Sequence, residues 1–220
     1  MSEIHAKLVA VFMAAAKINE NLWLDGTGVD SAAMSVDEFK EHVERTYNVK
    51  VEFFELDVDE IEHVYGFIER YGDSGEVAKV YIAKSIGPRW IRFVGIKELC
   101  QIVVDAPGVD FQVDGEDTLQ RLVAPGSPDI NAEENVALRS ETVAEYLAYE
   151  LAYPHEMRVR DLKRLDAKEV TIADLGAYYK VPNHIVETVL SNPYMKFAQS
   201  WWDHIASPDE AATAPGKHSR

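Results

Sequence analysis

Apolar positions recur at helical spacing over residues 3–22, where Ile4, Leu8, Val11, Phe12, Ala15 and Leu22 fall on one stripe. Asp25-Gly26-Thr27-Gly28 breaks that pattern. Ser35-Val36-Asp37-Glu38 then has the form of a capping box, in which hydroxyl and carboxylate satisfy each other's backbone N–H groups. It predicts a second helix over 36–47, with Val36, Phe39, Val43 and Tyr47 inward and Asn48 closing it. The alternation of Val49-Lys50-Val51-Glu52-Phe53-Phe54 predicts a strand. After an acidic turn-like segment at 57–62, residues 63–71 and 76–83 read as two more strands, joined by Gly72-Asp73-Ser74-Gly75 as a hairpin loop.

The most apolar stretch follows Gly87-Pro88. Over residues 91–105, Ile91, Phe93, Val94, Ile96, Leu99, Ile102 and Val103 form a nearly continuous background into which Lys97, Glu98 and Gln101 are set. Such a helix belongs inside a domain, where an ionised side chain is rarely left unpaired. The span 106–134 is polar and turn-rich, a length of loop that is often functional. An amphipathic helix is predicted from Ser140 to Leu151 and stopped by Pro154, with a short helix over 159–165. Residues 170–190 read as two helices around a turn at Lys180-Val181-Pro182, and 193–206 as a helix rich in aromatic residues. The expected fold class is α+β, a small twisted sheet packed on a helical bundle. The expected organisation is an N-terminal helix (1–34), one main domain (35–206) and a disordered polar tail (207–220).

Charge narrows the partners. The 220-residue chain carries 22 basic and 38 acidic residues, a formal net charge of −16. So acidic a surface repels phosphate backbones and anionic lipid, which argues against nucleic acid and membrane as direct partners and for a basic protein. A single cysteine, Cys100, excludes an internal disulfide framework and fits a cytoplasmic location. The apolar run 8–16 is too short to span a bilayer, and Glu3 is unusual before a signal sequence.

The spacing Lys97-Glu98-x-x-Gln101 puts positions 97 and 101 one helical turn apart on one face. That is the plan of H-E-x-x-H, whose histidines bind zinc and whose Glu is the general base, but both histidines are absent. Three stretches make the chain resemble the ImmA/IrrE family of zinc metallopeptidases. They are R-F-V-G-I-K-E-L-C-Q-I-V-V at 92–104, S-E-T-V-A-E-Y-L-A-Y-E-L-A-Y-P at 140–154, and I-A-D-L-G-A-Y-Y-K-V-P-N-H-I-V-E-T-V-L at 172–190. The resemblance implies a minimal zincin-like metallopeptidase fold. It places Glu98 on the general base, Glu141 on the third zinc ligand, and Lys97 and Gln101 on the two histidine ligands.

An ammonium has no lone pair for a metal and a Gln amide is a weak ligand, so zinc is expected to be lost and no cofactor to be retained. Without metal-activated water Glu98 has no base to be, and the peptidase chemistry is expected to be absent. Lys97 is instead expected to stand in the cation's place and neutralise Glu98 or Glu141. His155, just past Pro154, is the candidate substitute ligand. Cys100 reads as a buried structural thiol, and His5, His42, His63, His184 and His204 as scattered surface or capping residues without metal spacing.

The 170–190 segment imitates a DNA-reading helix pair, yet Asn183–Leu190 carries Glu187 and no Arg or Lys, so it reads as a packing hairpin. Trp201 and Trp202, with Tyr194 and Phe197, read as core or as a partner patch. What the resemblance implies is a non-catalytic pseudopeptidase that binds a protein, typically a helix-turn-helix repressor of a phage or mobile element. Two competing readings stand beside it. One is a metallopeptidase using Glu98, Glu141 and His155. The other is a small-molecule sensor with the 106–134 loop as a lid.

Overall fold

The computed structural model describes residues 3–22, 34–57, 65–72, 75–105 and 136–206. The acidic segment at 57–62 beyond Asp57, His63, the centre of the hairpin loop, the 106–134 loop and the 207–220 tail lie outside the described residues. The elements are α1 (Glu3–Leu22), α2 (Val36–Tyr47), β1 (Lys50–Leu56), β2 (Gly66–Tyr71), β3 (Val77–Ala83) and α3 (Pro88–Val104), then α4 (Val136–Ala152), α5 (His155–Asp166), α6 (Ile172–Tyr178), α7 (Asn183–Leu190) and α8 (Asn192–Ala206). This is an α+β arrangement of a small mixed sheet and a larger set of helices.

Local chemistry sets several of the boundaries. Ser35 Oγ accepts from the Glu38 backbone N–H while the Glu38 carboxylate accepts from the Ser35 N–H, and Asn48 ends α2 in the left-handed conformation at φ 52°. Thr171 and Asp174 form the same reciprocal cap on α6. Pro154 does more than stop α4. It occupies the residue before α5, which therefore runs from His155 rather than from Val159.

The sheet has the order β1-β3-β2, with β1 parallel and β2 antiparallel to β3. Val51, Ala78, Val80 and Ile82 are buried on its inner face. On the outer face Phe54, Tyr81 and Phe67 share one row across the strands, with ring centroids 5.3 and 4.7 Å apart. Helix α3 packs on the inner face and is flanked by α2 and α4. Being covered on several sides, it is apolar nearly all round, and only a few polar positions interrupt it. Arg92 is buried there, donating to the Met34 carbonyl at 2.8 and 3.1 Å, and burial lowers its pKa to about 10.

Helix α1 belongs to the same core. Leu8, Val11, Phe12, Ala15 and Ile18 are buried, and the Phe12 ring lies 5.6–6.2 Å from those of Phe197, Trp201 and Trp202 of α8. Trp201 and Trp202 are thus half-buried core-edge residues. Among the described residues no helix is long and apolar enough to cross a membrane.

Glu150 of α4, completely buried, ties three helices together. Its carboxylate accepts from Arg158 of α5 at 2.5 and 2.6 Å, from the Tyr194 hydroxyl at 2.9 Å and from the Trp202 indole at 3.0 Å, both of α8. Removing one partner of a buried pair leaves a charge without compensation. Arg158→Ala is therefore expected to cost about 3–5 kcal/mol, read as a lower urea midpoint.

Candidate functional site

The helix α3 supplies Lys97, Glu98 and Gln101, and Glu141 comes from α4, so the side chains converge from two elements. The Lys97 ammonium donates to Glu98 Oε1 at 2.9 Å and to Glu141 Oε1 in a still closer contact. Gln101 Nε2 donates to Glu141 Oε2 at 2.5 Å. Both Glu141 oxygens are thereby engaged. Exposure falls inward, from 26 % for the Glu141 side chain to 15 % for Lys97 and 1 % for Glu98. The four residues form a narrow polar recess with Glu98 at its base.

Strand β2 closes one side. A Cβ on Gly66 would lie 2.5 Å from Val94 Cγ1, 2.7 Å from the Tyr81 carbonyl and 3.7 Å from Glu98 Oε1. Only glycine lets the strand pass that near to α3 without a shift. Glu98 Oε2 is buried and finds no hydrogen-bond partner among the described residues.

The electrostatics follow from one cation serving two carboxylates. Burial pushes the Glu98 pKa up to about 6, and Lys97 offsets that only in part. The folded state then holds this proton more tightly than the unfolded chain, so the Glu98 contribution to stability falls as pH rises from about 4.5 to about 6. For Lys97, burial alone would lower the pKa, but Glu98 and Glu141 more than reverse it. Its contribution is complete at neutral pH and is lost only in strongly alkaline solution.

This arrangement does not fit a zinc ion. The Lys97 ammonium bridges the two carboxylates, the Gln101 amide turns its nitrogen to Glu141, and each Glu141 oxygen already accepts from one of these donors. Among the described residues no cluster of three or more His, Cys, Asp or Glu side chains is placed to hold a metal. Two side chains there are not set up as nucleophiles. A reactive lysine needs a depressed pKa, and Lys97 has a raised one. Cys100 is completely buried and burial pushes its thiol well above the ordinary range. What the recess offers is a fixed, half-covered pattern of charge.

The structure does not bring His155 to it. The turn at Pro154 directs His155 toward α8, where Nε2 lies 2.9 Å from Gln199 Oε1 and the ring stacks on Trp202 at 6.0 Å. His42 is buried, not on the surface, because it shares the inward face of α2 with Phe39 and Val43. His184 accepts from Thr188 through its backbone carbonyl, and His204 meets the Trp201 ring edge-on. The side chain of His5 and all of His63 lie outside the described residues.

Helices α6 and α7 are joined through Tyr179–Pro182, and Ile185, Val186, Val189 and Leu190 of α7 are buried as a packing hairpin requires. The sequence reading missed the buried Glu150 and Arg158. A carboxylate flanked by apolar residues in L-A-Y-E-L-A-Y-P was the available signal.

No family model matches the sequence, and no curated protein matches it. Among solved structures the chain is similar to one described as a Mycobacterium tuberculosis transcriptional regulator, at 15% identity and a TM-score of 0.48. That similarity covers 84% of this chain and 50% of the other, so the chain spans about half the length of that protein.

Lys97→Met tests the charge arrangement. It leaves Glu98 and Glu141 to face each other and is expected to destabilise by about 3–5 kcal/mol at pH 8. At pH 5 the loss should shrink, because Glu98 then takes up a proton. Urea unfolding at the two pH values measures the difference, and equal losses would contradict the arrangement.

Proposed function

We propose that this chain is a non-catalytic relative of the ImmA/IrrE zinc metallopeptidases, zincin-like in fold, that regulates by binding another protein. The observation that carries the reading is the Lys97 ammonium lying between Glu98 and Glu141, where the resemblance puts the metal. Support also comes from Gln101, whose amide holds Glu141 from the second histidine position. The charge that made the site catalytic in the peptidases is here supplied by a lysine. A lysine balances carboxylates but does not polarise water as a Lewis acid does.

The partner favoured by charge is a basic DNA-binding regulator of the helix-turn-helix class, such as the repressor of a phage or mobile element, met in the cytoplasm. At a net charge of −16 the chain would attract it by electrostatic complementarity, and the complex would weaken with salt. The recess between α3 and α4 is the docking place.

The test is to read the ancestral ligand set back into the site. Wild-type protein purified without chelator should carry zinc well below one per chain by plasma mass spectrometry. Lys97→His with Gln101→His provides two imidazoles beside Glu141 and should raise the content towards one. Stoichiometric zinc in the wild type, or a folded double variant that takes up none, overturns the reading.

A further inference from the structure

The α3–α4 recess continues into an aromatic surface, and the order of contacts along the two helices gives its layout. Lys97 and Gln101 of α3 meet Glu141 of α4. Phe93, earlier on α3, stacks on Tyr149, later on α4, with ring centroids 5.7 Å apart. The two helices therefore run antiparallel along a seam. Past Phe93 comes Trp90 at 6.2 Å, and Tyr65, just before β2, lies 5.0 Å from Trp90. Trp90 stands seven residues before Lys97, about 10 Å along the axis at the rise of an α-helix. Positions 90, 94, 97 and 101 share one stripe, and Gly66, which passes over Val94 and Glu98, lays no side chain across it.

One end of the seam is acidic. Glu145 lies one turn after Glu141 on the same side of α4 and accepts from the Tyr149 hydroxyl at 2.5 Å. Among the described residues Lys97 is the cation that contacts this group, through Glu98 and Glu141, so three carboxylates share one ammonium. Like charges one turn apart oppose each other, a cost that an added cation relieves. Glu141 is partly exposed, and a carboxylate has about four lone-pair sites, so it can accept from a further donor. The other end is apolar, with the Tyr65 ring 46 % exposed beside a half-buried Trp90.

We propose that this seam reads a short linear motif in a basic protein partner. The motif is an aromatic residue set on Tyr65 and Trp90 and, three residues away in either order, an arginine or lysine that meets Glu141 and Glu145. In polyproline II conformation residues i and i+3 fall on one side about 9 Å apart, close to the separation of the two ends. The inference rests on the protein-binding role proposed above and specifies what the partner presents.

Amide NMR of the isotope-labelled full chain tests this with two blocked peptides, acetyl-Gly-Phe-Pro-Pro-Arg-Gly-amide and acetyl-Gly-Arg-Pro-Pro-Phe-Gly-amide. At least one should bind saturably with a Kd of about 1 mM or tighter, shifting amides at Tyr65, Gly66, Trp90, Glu141 and Glu145. Citrulline for its Arg, or Ala for its Phe, should each weaken it about threefold or more. So should Glu145→Gln and Tyr65→Ala in the protein, each shown to be folded by its own amide spectrum. Saturable binding by neither peptide, shifts confined to other surfaces, or an unchanged Kd in either folded variant overturns the proposal. Zinc content decides the pseudopeptidase reading separately, so a chain low in zinc that binds neither peptide loses this motif and keeps that reading.

Discussion

A carboxylate taken out of water is tolerated only where donors replace the water, and three buried carboxylates set much of the architecture of the helical part. Glu150 receives a guanidinium, a phenol and an indole, which fixes α4, α5 and α8 against one another. Asp161 receives two phenols and two guanidinium groups, which fixes the corner where α5 meets α6. Glu98 is served less completely. It has one ammonium, shared with Glu141, and an oxygen without a partner among the described residues. The well-served carboxylates hold the fold, whereas the under-served one carries the raised proton affinity, which is how a site departs from a scaffold.

The position of that site follows from the packing of α3. Sheet, α2 and α4 cover this helix so fully that Phe93, Val94, Ile96, Leu99, Ile102 and Val103 are all buried. Apart from Arg92, which reaches the Met34 carbonyl, the buried polar side chains of this helix gather along the seam toward Glu141, where Lys97, Glu98 and Gln101 lie within about one helical turn of each other. A glycine at position 66 lets the sheet close over the same seam. The recess is therefore a consequence of how α3 is buried as well as of the charges in it.

Much of this could be read from the residues alone, for identifiable reasons. The Ser35–Glu38 cap, the Asn48 stop and the alternation of β1 and β3 are local, and local signals survive into the structure. The pairing of Lys97 with Glu98 or Glu141 was an expectation of the family resemblance, and the ammonium does contact both carboxylates. Less legible were properties that depend on distant contacts. His42 looked like a surface residue until the sheet and helices around α2 were known, and Glu150 looked like a polar position on an amphipathic helix whose other face also turned out to be covered. The start of α5 was placed late because Pro154 was taken only as a terminator. The alignment of Arg160 and Arg164 on Asp161 requires Tyr153 and Tyr179 from either side, and no short motif announces it.

The strand order carries a further consequence, for the path of assembly. Strands β2 and β3 are neighbours in sequence and close a short antiparallel hairpin, a contact of low entropic cost. Strand β1 precedes both yet pairs only with β3, in parallel, through contacts such as Phe53 with Val80. It has no ladder to join until the third strand has been made. The parallel β1–β3 pairing therefore closes a longer loop than the β2–β3 hairpin and carries the larger entropic cost, which makes the β1 edge the costlier part of the sheet to assemble.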